Sequence, residues 1–252
     1  EQMKEINVKP STILLEPFGK NTGPAITLAA LIAIQKANDP ILLILSSDHE
    51  IKKQTKFIET IKKGINYAEK GKLVTFGVIP TSPHTGYGYI KSDKPFNLSE
   101  IKGNKILNFI EKPSYDEARD FIKDKRYTWN SGMFLFKAKT MLSEMKKYHP
   151  EIIEFCKESL NKSENDLDFK RLNKEHFNNC PNISFDISVM ENTKNGIVLP
   201  LDADWNDIGS WESVWETSKK DKNNNVLYGN NTFIEDSKNC YLRSEQRLIA
   251  GI

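Results

Sequence analysis

Two aspartates in polar turns, each just behind an apolar run, are the first candidates for chemistry. Asp48 lies in SSDH (46–49), behind ILLIL, and Asp207 lies in NDIGS (206–210), behind GIVLPL. Ligands of open α/β sheets bind outside the carboxyl ends of the strands, where both turns are expected. A pair of carboxylates at such an edge suits Mg²⁺, which keeps several waters and takes one or two carboxylates plus substrate phosphates. Either aspartate alone could instead cap the helix that follows it.

Two further polar clusters stand at the ends of apolar runs. Glu111, Lys112 and Pro113 follow KILNFI (105–110), and a Trp-Asn-Ser-Gly stretch (129–132) leads into the run MFLFKA. A lysine near two carboxylates suits a site that faces phosphates, and all four clusters could converge on one cleft. The alternatives are a surface turn ended by its proline and a tryptophan that anchors the core.

Two glycine-bearing stretches could bring the backbone close to a ligand. LEPFGKNTGPA (15–25) forms a loop before a predicted helix, and the free N–H groups of a helix N-terminus bind anions. In TGYGYI (85–90), Gly86 and Gly88 leave room where a side chain would collide. The alternatives are an ordinary helix entry capped by Thr22 and a β-bulge or tight bend in a strand.

The elements that would position these residues alternate between short apolar runs and amphipathic stretches. The predicted strands are ILLIL (41–45), LVTFGV (73–78), KILNFI (105–110), GMFLFKA (132–138) and GIVLPL (196–201). The predicted helices cover residues 25–36, 56–70, 116–123, 141–162 with a break at Pro150, and 183–193. Strands separated by helices indicate βαβ units, so we predict an α/β fold: a mostly parallel sheet with helices on both faces. ILLIL is apolar at every residue, which is typical of a parallel strand buried on both faces.

The composition of the chain changes after Lys219. The segment KKDKNNNVLYGNNTFIEDSKNCYL is rich in asparagine and turn residues, with short β-like pieces between them. We therefore predict one domain over residues 1–218. Residues 219–252 are predicted to form a linker and the start of a short β-rich, β-helix-like element.

Composition also argues against several classes of protein. With 36 Lys and Arg against 34 Asp and Glu, the net charge is +2, which gives nucleic-acid binding no electrostatic support. The longest apolar run, AITLAALIAI (25–34), is well short of the roughly 18 to 20 residues of a membrane span. Three widely spaced cysteines favour neither a disulfide framework nor a zinc site, so we expect a reducing cytoplasm.

Eight strings of the sequence, in their order and spacing, are similar to the signatures of one enzyme family. They are ILLEPFGKNTGPAITLAAL, LSSDH, LVTFGVIPTSPHTGYGYI, FIEKP, YTWNSGMFLFKA, SFDISVMENT, PLDADWNDIGSWESVWE and NCYLRSE. Each string alone is weakly specific, but the ordered set extends over nearly all 252 residues. On these motifs the chain resembles the mannose-1-phosphate guanylyltransferases, also called GDP-mannose pyrophosphorylases. The resemblance implies a Rossmann-like nucleotidyltransferase that makes GDP-mannose and pyrophosphate from GTP and α-D-mannose 1-phosphate.

The resemblance also implies roles for individual residues. Asp48 and Asp207 would hold Mg²⁺ against the sugar phosphate and the nucleotide α-phosphate, with Lys112 on the phosphate. The other implied contacts are Glu16, Asn21 and Thr22 along the guanosine, and Gly88, Glu111 and Asn130 at the mannose hydroxyls. No general base is expected, because a phosphate monoester with a second pKa of about 6 is mostly dianionic at neutral pH. Catalysis would then be positioning and charge neutralisation.

The sequence departs from the family pattern in three places. The family opens with a strand and a glycine-rich loop ending in Thr-Arg, and no such string occurs here, so residues 1–218 are expected to lack the first strand-loop-helix unit. A piece that truly lacks this unit is expected to be inactive, because the loop binds the triphosphate. Ser46-Ser47 and Phe185-Asp186-Ile187 differ locally from the usual Pro-Ala and Ile-Asp-Tyr.

Three alternatives stay open at this point. A pyrophosphorylase for another sugar and nucleotide would share the fold, and a non-catalytic nucleotide-sensing homologue would keep the fold without the chemistry. The family's bacterial type often carries a C-terminal cupin with phosphomannose isomerase activity, and a tail like residues 219–252 leads into it. A bifunctional parent would then also act as a mannose-6-phosphate isomerase. A homodimer is a further expectation, which rests on analogy alone.

Overall fold

The computed structural model describes residues 2–252, without the side chain of Lys4. Its helices are α1 (Gln2–Glu5), α2 (Thr22–Lys36), α3 (Gln54–Glu69), α4 (Tyr115–Phe121), α5 (Ala138–Tyr148), α6 (Pro150–Asn161), α7 (Lys174–Asn178) and α8 (Trp211–Thr217). Its strands are β1 (Ile13–Leu15), β2 (Ile41–Ile44), β3 (Glu50–Ile51), β4 (Leu73–Val78), β5 (Tyr89–Ser92), β6 (Asn104–Ile110), β7 (Tyr127–Lys137), β8 (Glu164–Asp166), β9 (Phe169–Arg171), β10 (Gly196–Leu201), β11 (Trp205–Asn206), β12 (Val226–Tyr228), β13 (Thr232–Ile234), β14 (Tyr241–Arg243) and β15 (Ile249–Gly251). A π-helical turn covers Asp186–Met190. Within residues 2–252, no helix is long and apolar enough to cross a membrane.

Packing divides the chain into two compact units. The first contains the residues up to Ser46 together with Thr55–Asp202, and the second contains Ser47–Gln54 together with Ala203–Ile252. The domain boundary predicted near residue 218 falls between α8 and β12, inside the second unit, and it stays a prediction. The two halves of the second unit are held together by β3 and β11, which pair although they are distant in sequence.

A six-stranded sheet in the order β2-β7-β4-β10-β6-β5 forms the centre of the first unit. The predicted α/β layering needs one correction here, because the sheet is not mostly parallel. Only β4 and β10 pair in parallel among its described strands, and the other pairs are antiparallel. The cause is β7, a long strand that inserts antiparallel between β2 and β4 and also pairs with β5. Strands β2, β4 and β10 still point the same way, so their carboxyl ends share one edge of the sheet.

Helices cover both faces of this sheet, as predicted. Phe134 and Phe136 of β7 lie in the main core with side chains of α2, α5 and α6. Leu135 points the other way, toward α3, where a Cβ added to Gly64 would lie 2.8 Å from its side chain. Successive residues of a strand face opposite sides of the sheet, so one apolar run serves both helix layers.

Strand β2 is less buried than its sequence predicts. All of its residues are apolar, yet Leu43 is 36% exposed and the following Leu45 is 48% exposed. Among the described strands, β2 has β7 as its neighbour and forms an edge of the sheet. The prediction of a parallel strand buried on both faces is therefore wrong, because β2 is an antiparallel edge strand with a more open environment.

Most other elements have the predicted type, with shifted ends. LVTFGV and GIVLPL are β4 and β10, and each is buried at every residue. Helix α2 begins earlier than predicted, and its N-cap is Asn21, whose Oδ1 accepts from the Thr22 N–H over 2.9 Å. Thr22 is therefore the first helical residue and not the cap. The helix predicted over residues 183–193 is reduced to the π-helical turn.

The second unit is built from pairs of short strands. Strands β3 and β11 are antiparallel, with Ile51 opposite Trp205 and Glu50 opposite Asn206. In the tail, β12 pairs in parallel with β14, and β13 pairs in parallel with β15. Strands β12 and β13 thus lie beside β14 and β15, respectively, and each pair is parallel. Parallel pairing of successive strands in this order is typical of a β-helix.

Candidate functional site

The β3–β11 ribbon carries both aspartates predicted to bind metal. Its last pair is Glu50 opposite Asn206. One step further in the same register come His49 and Asp207, and Asp48 is the next residue along the chain. The sequence places these aspartates far apart, and strand pairing brings them to the same end of one ribbon.

The pKa of His49 reflects the charges of both aspartates at this end of the ribbon. Burial lowers the pKa of His49, and the carboxylates of Asp48 and Asp207 oppose that shift, so both charges lie within electrostatic reach of the ring. The indole N–H of Trp205 donates to His49 Nδ1 over 3.1 Å, and the two rings are perpendicular. Trp205 is buried, so it holds a neutral imidazole in one orientation beside the carboxylates.

Asp207 does not cap the helix that follows it. The N-cap of α8 is Ser210, whose hydroxyl accepts from the Ser213 N–H over 3.1 Å. The Asp207 carboxylate instead accepts from the backbone N–H of Gly209, also over 3.1 Å. The capping interpretation of Asp207 is therefore wrong, and its carboxylate is oriented by its own turn.

Asp48 and Asp207 would share a cation at this position with waters or substrate oxygens. Among residues 2–252, no cluster of three or more histidine, cysteine, aspartate or glutamate side chains could hold a metal ion by itself. Two neighbouring carboxylates fit Mg²⁺, which retains waters and shares phosphate oxygens with its substrate. The donor set is thus compatible with the predicted ion, and the assignment of Asp48 and Asp207 as ligands stays a prediction.

The three residues predicted to bind sugar meet at one point of the first unit. Strand β5 pairs with β6 and with β7, and Tyr89 lies opposite both Ile110 and Trp129. The residues one step outside these pairs are Gly88, Glu111 and Asn130. The Asn130 N–H donates to Gly88 O over 2.7 Å, and a Cβ on Gly88 would lie 2.7 Å from Glu111 Oε2. The absence of a side chain on Gly88 leaves the Glu111 carboxylate the space that it occupies here.

Asp186 belongs to this cluster, although the sequence-based predictions give it no role. Asn130 Nδ2 donates to Asp186 Oδ1 over 2.8 Å, across 56 residues of sequence. Burial raises the pKa of Asp186, and the nearby charge of Glu111 raises it further. The signal that could have identified Asp186 is its position in SFDISVMENT, one of the family-like strings.

Lys112 follows the cluster in a constrained backbone conformation. Its φ is +46°, in the left-handed region that residues other than glycine rarely adopt. Pro113 and the N-cap Ser114, which opens α4 with a capping box to Glu117, follow directly. The turn therefore separates Glu111 from α4 and leaves Lys112 exposed, as a lysine that contacts phosphate would need to be.

The residues predicted to bind nucleotide lie around the start of α2. Asn21 and Thr22 form its first turn, with Asn21 at φ +64°. Glu16 follows β1 directly and lies within electrostatic reach of Cys156, whose thiol contacts Pro24 O. One oxygen of Glu16 is buried and has no hydrogen-bond partner in the described structure, and burial raises the pKa of this carboxyl. An unpartnered buried acceptor is costly, so a hydrogen-bond donor that reached this carboxyl would be stabilising.

Comparison with solved structures agrees with this architecture. A Thermus thermophilus protein described as mannose-1-phosphate geranyltransferase is 30% identical, with a TM-score of 0.79 over 94% of this chain and 67% of that one. A Helicobacter pylori structure described as mannose-6-phosphate isomerase is 35% identical, with a TM-score of 0.70 over 81% of this chain and 78% of that one. The predicted Rossmann-like nucleotidyltransferase class is confirmed.

Comparison with protein sequences confirms the resemblance seen in the motifs. The mannose-1-phosphate guanylyltransferase of Klebsiella pneumoniae is 43% identical over 252 residues, which are 100% of this chain and 53% of that protein. The chain thus spans about half the length of the curated relatives it matches. Nucleotidyl transferases generally use a divalent metal. The family profile for nucleotidyl transferases matches residues 1–224, and the chain therefore belongs to the nucleotidyl transferase family.

Proposed function

We propose that the protein transfers the GMP group of GTP to α-D-mannose 1-phosphate, giving GDP-mannose and pyrophosphate. The observation that carries the proposal is the β3–β11 ribbon, which gathers Asp48 and Asp207 from distant segments beside His49. Gathered carboxylates are what two substrates rich in phosphate require, because their mutual repulsion must be offset by a cation. The similarity to a Klebsiella pneumoniae protein named mannose-1-phosphate guanylyltransferase supports the choice of base and sugar.

The metal in this proposal is Mg²⁺, held by Asp48 and Asp207. When bound, it supplies positive charge to the phosphate oxygens. The Gly209 N–H orients the Asp207 carboxylate within its turn. This supports Asp207 as a metal ligand, because a side chain that is already oriented loses less entropy when the metal binds. Lys112 is proposed to bind phosphate as a second positive charge, in keeping with its exposed position.

The guanine is proposed to bind at Glu16, Asn21 and Thr22. A guanine base presents N–H donors on its Watson–Crick edge, and the buried unpartnered oxygen of Glu16 is an acceptor without a donor. Asn21 and Thr22 open a long helix, whose N-terminus favours negatively charged groups. Glu16 could thus accept from the guanine base, and the N-terminus of α2 could bind the phosphates of the same nucleotide.

The mannose is proposed to bind at Gly88, Glu111 and Asn130. Sugar hydroxyls both donate and accept hydrogen bonds, and a carboxylate beside an amide offers both kinds of partner. Gly88 supports this assignment because its lack of a side chain keeps the Glu111 carboxylate close to the β5 backbone. Directional groups of this kind select a sugar by its hydroxyl geometry.

The reaction requires no protein nucleophile. An oxygen of the sugar phosphate attacks the α-phosphorus of GTP, a new P–O bond forms, and the bond to pyrophosphate breaks. The attacking phosphate needs no general base, because its second pKa of about 6 leaves it mostly dianionic at neutral pH. The task of the protein is then to hold both substrates in line and to offset their charge.

The first test is the nucleotide and sugar dependence of pyrophosphate release. The full-length protein should release pyrophosphate with GTP, mannose 1-phosphate and Mg²⁺, and much less with UTP, dTTP or glucose 1-phosphate. Preference for another pair would indicate a pyrophosphorylase of different specificity. Tight GTP binding without release of pyrophosphate from any pair would favour a nucleotide-sensing homologue.

A second activity of the whole protein is worth a parallel assay. The structure described as a mannose-6-phosphate isomerase from Helicobacter pylori is 35% identical to this chain, which favours a bifunctional protein. Interconversion of mannose 6-phosphate and fructose 6-phosphate by the full-length protein would support it. A cytoplasmic location and assembly as a homodimer complete the proposal, and fractionation and sedimentation experiments would test them.

A further inference from the structure

The chain between Ile183 and Asp186 is bonded to the start of α2. The Gly23 N–H donates to Ile183 O over 3.0 Å, and the Phe185 N–H donates to the hydroxyl oxygen of Thr22 over 2.9 Å. Phe185 is fully buried in the main core of the first unit. Its backbone is thus held from two sides, which leaves little freedom for the residue that follows.

Asp186, the next residue, is bonded to the proposed sugar site. Its Oδ1 accepts from Asn130 Nδ2 over 2.8 Å, and Asn130 Oδ1 accepts from the Gly132 N–H over 3.2 Å. The Asn130 amide therefore uses one N–H donor and one acceptor lone pair within the protein. An amide has two N–H donors and two acceptor lone pairs, so one of each remains for a ligand.

The local backbone at Asp186 is unusual. Asp186 opens the π-helical turn that runs to Met190, and such turns occur frequently at functional sites. Burial raises the pKa of Asp186, and the Asn130 hydrogen bond opposes that rise without cancelling it. The direct partner of this buried carboxyl is Asn130, a proposed sugar ligand.

We infer that Asp186 is a positioning residue, which orients the Asn130 amide for the sugar and ties that amide to the backbone that holds Thr22. The inference rests on the proposed function, since Asn130 must contact the sugar of mannose 1-phosphate. Asp186 itself does not need to touch the substrate. Its role is to fix the orientation of the Asn130 amide together with the Gly132 N–H, so that the remaining N–H of the amide points in one direction.

The test compares two replacements of similar size in the full-length protein. Asp186→Leu removes the shorter of the two hydrogen bonds that hold the Asn130 amide and leaves only the bond from Gly132, so KM for mannose 1-phosphate should rise about tenfold or more. KM for GTP should rise less than about threefold, as expected of a residue that acts on the sugar side. Asp186→Asn keeps an oxygen acceptor, so its KM for mannose 1-phosphate should stay within about threefold of wild type.

A control variant separates the orientation of the Asn130 amide from the effect of the negative charges around it. Glu191 lies near Asp186 and Glu111, and their charges add to the effect of burial in raising its pKa. Glu191→Gln therefore removes a charge from the same cluster while the bond between Asn130 and Asp186 stays intact. Its KM for mannose 1-phosphate should change by less than about twofold.

The outcomes distinguish the inference from the function on which it rests. Wild-type protein that neither binds mannose 1-phosphate by calorimetry nor uses it contradicts the proposed function, and the inference falls with it. Active wild type with an unchanged sugar KM in folded Asp186→Leu overturns the inference alone. An equal rise in KM for Asp186→Leu and Asp186→Asn also overturns it, because charge and not orientation would then matter. Thermal unfolding shows whether each variant is folded, and should Asp186→Leu fail to fold, Asp186→Ala replaces it under the same criteria.

Discussion

The end of the β3–β11 ribbon and the meeting point of β5, β6 and β7 both gather residues from distant parts of the chain. The two regions differ in the chemical groups that they bring together. The ribbon end carries two carboxylates, with Asp48 exposed and Asp207 half-buried. The meeting point carries a glycine, a carboxylate and an amide, and hydrogen bonds to Gly88, Gly132 and Asp186 hold the amide residue Asn130.

This difference indicates which property of each region matters. Binding of a cation at the ribbon end requires the negative charge of its carboxylates, so this region should depend on how many carboxylates it has. Hydrogen bonds to neutral hydroxyls weaken steeply with distance and angle, so the meeting point should depend on geometry. Loss of charge should therefore be severe in the first region, and a change of shape should be severe in the second.

The largest expected effect is that of Asp207→Asn on turnover. The change keeps the size of the side chain and removes one of the two gathered charges, so kcat should fall by about 100-fold or more. Steady-state pyrophosphate release in Mg²⁺ measures this effect. Weaker Mn²⁺ binding in a paramagnetic resonance titration would locate the loss at the metal.

A matched control lies on the same segment. Asp204 forms an ion pair of 3.0 Å with Lys53, and both side chains are largely exposed. An exposed pair contributes little, so Asp204→Asn should leave kcat within about twofold of wild type. The metal assignment would be abandoned if Asp207→Asn stayed within about tenfold of wild type, which is ~1.4 kcal/mol of barrier.

Gly88→Ala tests the shape of the meeting point without any change in charge. The added Cβ would lie 2.7 Å from Glu111 Oε2 and 3.5 Å from Asn130 Cβ, so the carboxylate must move. We expect KM for mannose 1-phosphate to rise about tenfold, because a displaced partner loses its hydrogen-bond geometry. Initial rates at saturating GTP measure the change. A normal sugar KM in a folded variant would show that this carboxylate does not bind the sugar.

Glu16→Gln tests whether a buried acceptor at the start of α2 recognises the base. The amide retains one acceptor but loses the charge, so KM for GTP should rise about five- to tenfold. Removing a carboxylate whose pKa burial raises should not lower thermal stability at neutral pH. Competition between GTP and other nucleotides measures the first effect. Unchanged selectivity for GTP would argue against contact with guanine.

The smallest expected effect is the stability of Asp186→Asn as a function of pH. The folded-state pKa of Asp186 is raised above its ordinary value of 3.8, so ionisation costs stability as the pH rises above the unfolded pKa, and the full cost is reached above the folded pKa. The variant should therefore unfold at a temperature higher by roughly 1–3 °C at pH 7. The difference should vanish below the unfolded pKa, where the carboxyl is protonated in both states. A variant that is less stable at pH 7 would contradict this sign.

The layers of the fold could be predicted from the sequence, but the strand directions could not. The apolar runs of β4 and β10 mark buried strands, and amphipathic spacing marks α3 and α6. An apolar run does not record the direction of its neighbour, so it does not predict the antiparallel insertion of β7. For the same reason the run of β2 predicts a central strand, although β2 lies at an edge of the described sheet.

The site shows a similar limit. The motifs around Asp207 and Asn130 identify candidate residues by their resemblance to a family, since spacing alone does not separate a ligand from a helix cap. The pairing that sets Asn206 opposite Glu50 depends on contacts across most of the chain. Asp186 could not be assigned from spacing, because its role depends on a bond to Asn130, 56 residues away, and on a π-helical turn that periodicity does not predict.

The most direct test is the identity and ratio of the products. Full-length protein would be incubated with GTP, mannose 1-phosphate and Mg²⁺, and GDP-mannose and pyrophosphate would be quantified in the same sample. We expect one GDP-mannose for each pyrophosphate, and loss of both products in Asp207→Asn. Formation of free GMP without GDP-mannose, or of no nucleotide sugar at all, would contradict it.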